Sequence, residues 1–87
     1  MPKVFIPAPL RALAGGQNCV QLEGRTVRQL IAALDERFPG IAARLLDHDE
    51  LSHSLMISID GTINPRKLLA TVNPTSEVHF LPAIGGG

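Results

Sequence analysis

Few groups in this 87-residue chain are able to take part in chemistry, and the most unusual stand at its end. Ala83-Ile84-Gly85-Gly86-Gly87 closes the sequence and sets a carboxylate behind three successive glycines. Glycine lacks a Cβ and reaches backbone angles closed to other residues, so such a stem is thin and adaptable. Fully extended, residues 83–87 span roughly 17 Å at about 3.3 Å per residue, enough to pass through a narrow channel into another protein. A glycine-rich end is also an ordinary form of loose terminus, so the stem alone decides nothing. The carboxylate itself is a poor electrophile, being negatively charged and lacking a good leaving group. It must be activated before it can react.

The remaining reactive side chains point to less. Cys19 is the single cysteine, and no histidine lies at a fixed local spacing from it, so a structural thiol on an edge strand is expected. A lone cysteine also excludes an internal disulfide and a four-cysteine iron–sulfur cluster. His48 and His53 lie near Asp47, Asp49 and Glu50, but the spacing matches no zinc pattern and a solvated loop is expected there. No metal site is predicted. His79 lies on the segment that leads into the tail, and nothing in its local sequence supports general-acid work.

Composition narrows the field further. Apolar residues make up 45% and charged residues 18%, with a net charge of zero, which describes one globular domain. A neutral chain with a pI near 6.8 offers no electrostatic footing for nucleic acid or a membrane surface. Phe5, Phe38 and Phe80 are its only aromatic residues, too few for a base-stacking platform, and Arg66-Lys67 is too short for a basic patch. No apolar run approaches the roughly 18 residues of a membrane span. A cytoplasmic location is expected. Lys3 and Lys67 are the only lysines, so nothing suggests chain building on this protein.

The elements that must hold the tail can be read from periodicity. Lys3-Val4-Phe5-Ile6 is β-branched and aromatic between prolines, a short strand with Val4 and Ile6 on one face and Phe5 on the other. Residues 8–17 are expected to form a connection with Leu10 and Leu13 packed inward and a turn at Gly15-Gly16. Residues 18–23 alternate as a second strand, with Val20 and Leu22 inward, completing an antiparallel hairpin. Thr26 and Gln29 form a capping box for a helix whose Val27, Leu30, Ile31, Leu34 and Phe38 line one face. Pro39-Gly40 ends it, and residues 41–46 add a short second helical turn.

A polar loop is expected over 47–50. Leu55, Ile57 and Ile59 then alternate with Met56 and Ser58 in a third strand, and Asp60-Gly61 turns it into a short return over 62–64. Residues 65–74 read as loop, anchored by Leu68, Leu69 and Val72. The final strand, Glu77 to Pro82, points Val78 and Phe80 inward and His79 and Leu81 outward. One helix cannot cover both faces of the resulting sheet, so one face stays wet. The right-handed crossover rule favours first and last strands lying centrally and parallel. The expected class is α+β, a mixed sheet of four to five strands with one main helix on one face, which the family resemblance carried by the residues below makes a β-grasp. Residues 1–82 are expected to form the domain and 83–87 a flexible tail ending in diglycine.

Val4-Phe5-Ile6-Pro7 followed by Leu10-Arg11, then Gly15-Gly16-Gln17, the Thr26-capped helix, Gly40-Ile41, Arg44-Leu45 and the closing Val78-His79-Phe80-Leu81-Pro82-Ala83-Ile84 before the glycines carry a resemblance. The chain resembles, over nearly its whole length, the ubiquitin-like sulfur carrier proteins, which include the small subunit of molybdopterin synthase and the thiamine-pathway carrier. The branch that carries sulfide for cysteine synthesis is the nearest in feature. Gly85, a third glycine, departs from the usual diglycine and loosens the tail without removing its chemical group.

The resemblance implies that an E1-like adenylyltransferase and sulfurtransferase joins AMP to the carboxylate of Gly87, and that a sulfur donor then leaves a thiocarboxylate. The acceptor enzyme would be a pyridoxal phosphate cysteine synthase, with a metalloprotease freeing the product, or else the large subunit of molybdopterin synthase. ATP with Mg and pyridoxal phosphate would belong to those partners, and this chain would bind no cofactor and catalyse nothing. Gly85 and Gly86 would thread the tail. Phe5, Met56, His79, Leu81, Ala83 and Ile84 are the expected partner-binding residues. A ubiquitin-like protein modifier and a non-covalent β-grasp interaction domain are the readings from other classes.

Overall fold

A computed structural model describes residues 1–83, beginning with β1 (Lys3–Phe5), which prolines at 2 and 7 keep short. The connection after it is ordered: Ala8–Ala14 forms a 3-10 helix, closed by Gly15 at φ 64°. The Arg11 guanidinium donates from Nε to the Ile6 carbonyl at 3.1 Å and ties this helix back to β1. Leu10 and Ala14, four residues apart, take the inner side. Leu13 was expected to pack with them and is instead 41% exposed, because the inner side is already filled. β2 (Cys19–Gln21) is shorter than residues 18–23, although Leu22 beyond it remains buried.

The capping residues do what their types dictate. In α1 (Val27–Arg37) the Thr26 hydroxyl accepts from the Gln29 N–H at 3.2 Å. The Gln29 side chain reaches back one residue further than a standard capping box, accepting from the Arg25 N–H at 2.8 Å. The Val27 N–H, which no helical carbonyl can serve, donates to the Ala70 carbonyl at 3.0 Å. Val27, Leu30, Ile31 and Leu34 are buried, each worth about 1.5–3 kcal/mol as a large apolar side chain. Phe38, expected in the same stripe, caps the helix half-buried with the Arg37 guanidinium 5.5 Å from its ring centre. Gly40, at φ 100°, then allows α2 (Ile41–Leu45) to start at once. One Asp35 carboxylate oxygen accepts from both the Gly40 and Ala42 N–H groups at 3.0 Å, fixing the corner.

Residues 47–50 are a hairpin and not the open loop that their polarity suggests. β3 (Leu46–Asp47) pairs with β4 (Glu50–Leu51) across His48 and Asp49, both at positive φ. That is the backbone of a two-residue hairpin turn, made here without glycine. β5 (Leu55–Ile59) turns through Asp60-Gly61, as the sequence predicts, into β6 (Thr62–Ile63). In the 3-10 turn Lys67–Leu69 only Leu68 packs inward; its neighbour Leu69, expected as an anchor, is 62% exposed. Adjacent residues of so short a turn cannot both reach the core.

β7 (Glu77–Pro82) closes the sheet, whose order is β2-β1-β7-β5-β6. β1 and β7 run parallel at its centre, and the other pairings are antiparallel. This is the β-grasp, ubiquitin-like architecture. All of the helical segments contribute to one apolar cluster with Val4, Ile6, Val20, Ile57, Val78 and Phe80.

Gly24 shows how tightly α1 sits on the chain before it. A Cβ there would lie 2.9 Å from Leu30 Cδ2 and 3.2 Å from the Leu30 backbone nitrogen. Gly24→Ala is therefore expected to destabilise the domain by about 1–3 kcal/mol, as overpacking does. Urea unfolding measures it, and a midpoint equal to that of the parent protein would refute the crowding.

Candidate functional site

Alternation along β7 decides what the tail-bearing strand shows to each side. Val78 and Phe80 enter the core, while Glu77, His79 and Leu81 stand on the opposite face. The registers then assemble that face across the sheet. Phe5 of β1 lies opposite both Cys19 of β2 and His79 of β7; His79 lies opposite Ser58 of β5; Ser58 lies opposite Ile63 of β6. One transverse row thus reads Cys19, Phe5, His79, Ser58, Ile63. The next row toward the tail is the Met56–Leu81 pair. The row on the other side holds Gln21, Lys3 and Glu77.

The sequence-predicted residues Phe5, Met56, His79 and Leu81 therefore share one face, each half-buried. At its middle the Phe5 and His79 rings stack, their centres 4.1 Å apart and their planes within 7°. Ser58, expected on the wet side, does face that way but is 5% exposed, closed in by its row neighbours. Ile63 belongs to the same face at 45% exposure and was not among the predicted residues. The two-residue Asp60-Gly61 turn carried the missing signal, since it fixes the Ser58–Ile63 register and hence the parity of β6. Cys19 lies on the edge strand, as expected, separated from His79 by the width of Phe5.

The exit of the tail is also defined. The Ala83 N–H donates to the Ser54 carbonyl at 2.9 Å, extending the β5–β7 ladder one step past Pro82. Ser54 is itself set by a serine turn, in which its N–H donates to the Ser52 hydroxyl oxygen at 3.3 Å. Position 82 points its backbone the other way, toward β1. The register would place Ala8 there, but Ala8 already belongs to the 3-10 helix. A proline, which has no N–H to offer, therefore leaves no ladder bond unmade. Ile84, Gly85, Gly86 and Gly87 lie outside the described residues. With Ala83 held to the ladder, four residues remain beyond it, at most roughly 13 Å of extended chain rather than 17 Å.

The other candidates do not converge. His48 Nδ1 lies 3.0 Å from an Asp47 carboxylate oxygen at a fully solvated hairpin tip, where an ion pair adds little. Among the described residues no group of three or more His, Cys, Asp or Glu side chains could hold a metal ion. Among them, too, no helix is long and apolar enough to cross a membrane.

The ThiS family model matches residues 4–87 of this chain. The chain belongs to the ThiS family. It is 34% identical to the sulfur carrier protein CysO of Mycobacterium tuberculosis, over 97% of this chain and 96% of that protein. The CysO-type structure of the Amycolatopsis orientalis BexX/CysO complex superposes with a TM-score of 0.89 at 30% identity, covering all of both chains. Small archaeal modifier protein 1 of Methanosarcina acetivorans shares the fold, with a TM-score of 0.79 at 24% identity over 99% of this ThiS-family chain and 95% of that one.

If the open face is surface and not core, Leu81→Glu should cost less than about 1 kcal/mol of stability. Phe80→Ala, one residue away on the buried side, should cost about 3–5 kcal/mol. Thermal and urea unfolding of the two variants give the comparison; equal losses would place Leu81 in the core.

Proposed function

We infer that this protein is a sulfur carrier, a co-substrate acted on by other enzymes, with the Gly87 carboxylate as its working group. The observation that carries this is the pairing of a terminal glycine run with a strand that anchors in the sheet centre and sets His79 and Leu81 on the open face beside Phe5 and Met56. Curated relatives of high coverage that are named as sulfur carriers support the same reading.

The chemistry follows from the poverty of the carboxylate. A carboxylate oxygen attacks the α-phosphorus of ATP on an E1-like adenylating enzyme, and pyrophosphate leaves. The resulting acyl-adenylate has AMP as a good leaving group. A sulfide equivalent from a donor attacks the acyl carbon, AMP departs, and a thiocarboxylate remains. Its sulfur is an ionised, polarisable nucleophile held on a protein instead of lost to solution. Cysteine biosynthesis, through a pyridoxal phosphate enzyme and a metalloprotease, is the favoured destination. The small subunit role in molybdopterin synthase is the runner-up.

Each partner must close around the reacting carbon and exclude water, which leaves no room for side chains at 85, 86 and 87. Each must also recognise the body. Phe5, Met56, His79 and Leu81 supply a half-buried, largely apolar surface across the tail-bearing strand and its two neighbours, the kind of patch that marks a partner site. Met56 adds an adaptable surface. Ala83 and Ile84 would be the first tail residues that a partner meets. A CysO seen in complex with a second protein is in keeping with docking of the folded body.

Mass spectrometry of the protein from its native cells tests the reading directly. The expected product is the chain with one oxygen replaced by sulfur, and covalent conjugates of larger mass would favour a protein modifier instead. Gly86→Ala should sharply lower ATP–pyrophosphate exchange with the activating enzyme while leaving the unfolding midpoint unchanged. Deleting Gly87 should abolish sulfur loading. An undiminished exchange rate for Gly86→Ala would argue strongly against a threaded tail.

A further inference from the structure

The centre of the open face is not uniformly apolar. Phe5 and His79 stand side by side on neighbouring strands with parallel rings, so their flat faces turn toward each other. On the other side of His79 its register partner is Ser58 on β5. Both rings therefore present edges outward, and the outward edge of His79 carries ring nitrogen. Around that edge lie Phe5, Leu81, Met56 and the exposed Ile63, so a polar edge sits within an apolar surround. The charged groups on the same face are Lys3 and Glu77, one row away from the tail, and Asp60, whose carboxylate oxygen accepts from the Glu77 N–H at 2.9 Å.

What covers this edge is constrained by the chain beyond it. Gly87 stands four residues beyond Ala83, so an enzyme acting on a Gly87 carboxylate comes within roughly 13 Å of Ala83. Leu81 and His79 are the next outward positions back along the same strand, and a protein approaching that closely covers them. A buried imidazole N–H left without a partner is costly. Neutral imidazole carries one N–H and imidazolium two, so a hydrogen-bond acceptor is the one kind of group that can pair with the ring in either state.

We propose that His79 is the specificity-determining polar contact of the docking face, held edge-outward by Phe5, and that the adenylating partner meets it with a hydrogen-bond acceptor, a carboxylate or carbonyl oxygen. This rests on the sulfur-carrier reading, since that reading names the occupant. It makes the surface selective: a partner with a plain apolar patch of the same shape would strand the imidazole N–H.

The test uses the full chain and the adenylating enzyme of its host, with pyrophosphate exchange as readout. His79→Phe keeps a ring to stack on Phe5 and removes the donor. It is expected to raise KM for the carrier at least about tenfold, with kcat changed less than about twofold and the unfolding midpoint retained. His79→Gln, whose amide N–H reaches about as far as Nε2, should recover most of that loss. An unchanged or lower KM for His79→Phe would overturn the proposal while leaving the carrier reading intact. Failure of the full parent chain to be adenylated at all would remove both.

Discussion

One short helix laid on a five-stranded sheet can cover one side and no more. α1 has eleven residues, about 16 Å of helix at 1.5 Å per residue, and five strands spaced about 4.8 Å apart are at least as wide. The 3-10 segments and α2 extend the cover, but they add to the same cluster and the same side. Every strand must therefore sort its residues by parity, apolar side chains beneath the helix and the rest outward. The open face is a direct result of that shortage of cover, and its position on the tail-bearing strand makes it useful.

The parallel pairing of β1 and β7 sets how the tail leaves. A parallel neighbour needs a long crossover, and here nearly the whole chain serves as that crossover. It places the last strand in the middle of the sheet, with neighbours on both sides over its first half. The final step is then narrowed: β1 has turned away, and only the Ser54 carbonyl holds Ala83.

Much of this was legible in the residues, for reasons that can be named. The helix boundaries followed from Thr26, Gln29 and Pro39-Gly40, whose chemistry acts locally. The outward set Phe5, Met56, His79 and Leu81 followed from the period of two in strands, which tertiary context does not alter. What escaped the sequence was non-local or sterically contingent. The His48-Asp49 turn uses residues less accustomed to positive φ, so the β3–β4 hairpin looked like a loop. Leu13 and Leu69 carry the same hydrophobic signal as Leu10 and Leu68, and only the space available beneath each segment separates them. The Phe5–His79 stack depends on two strands 70-odd residues apart in the chain meeting in one register, as parallel pairing makes them do. Local periodicity does not encode it.

Pro82 has a bearing beyond its own ladder position. Where β1 departs, β7 is left with an unshielded flank, and an unshielded flank on a β-strand is an invitation for a second copy to zip on. A residue that offers no amide proton at that spot denies such a copy its first bond. One imino acid on that flank thus makes the last step of β7 a poor template for edge-to-edge pairing.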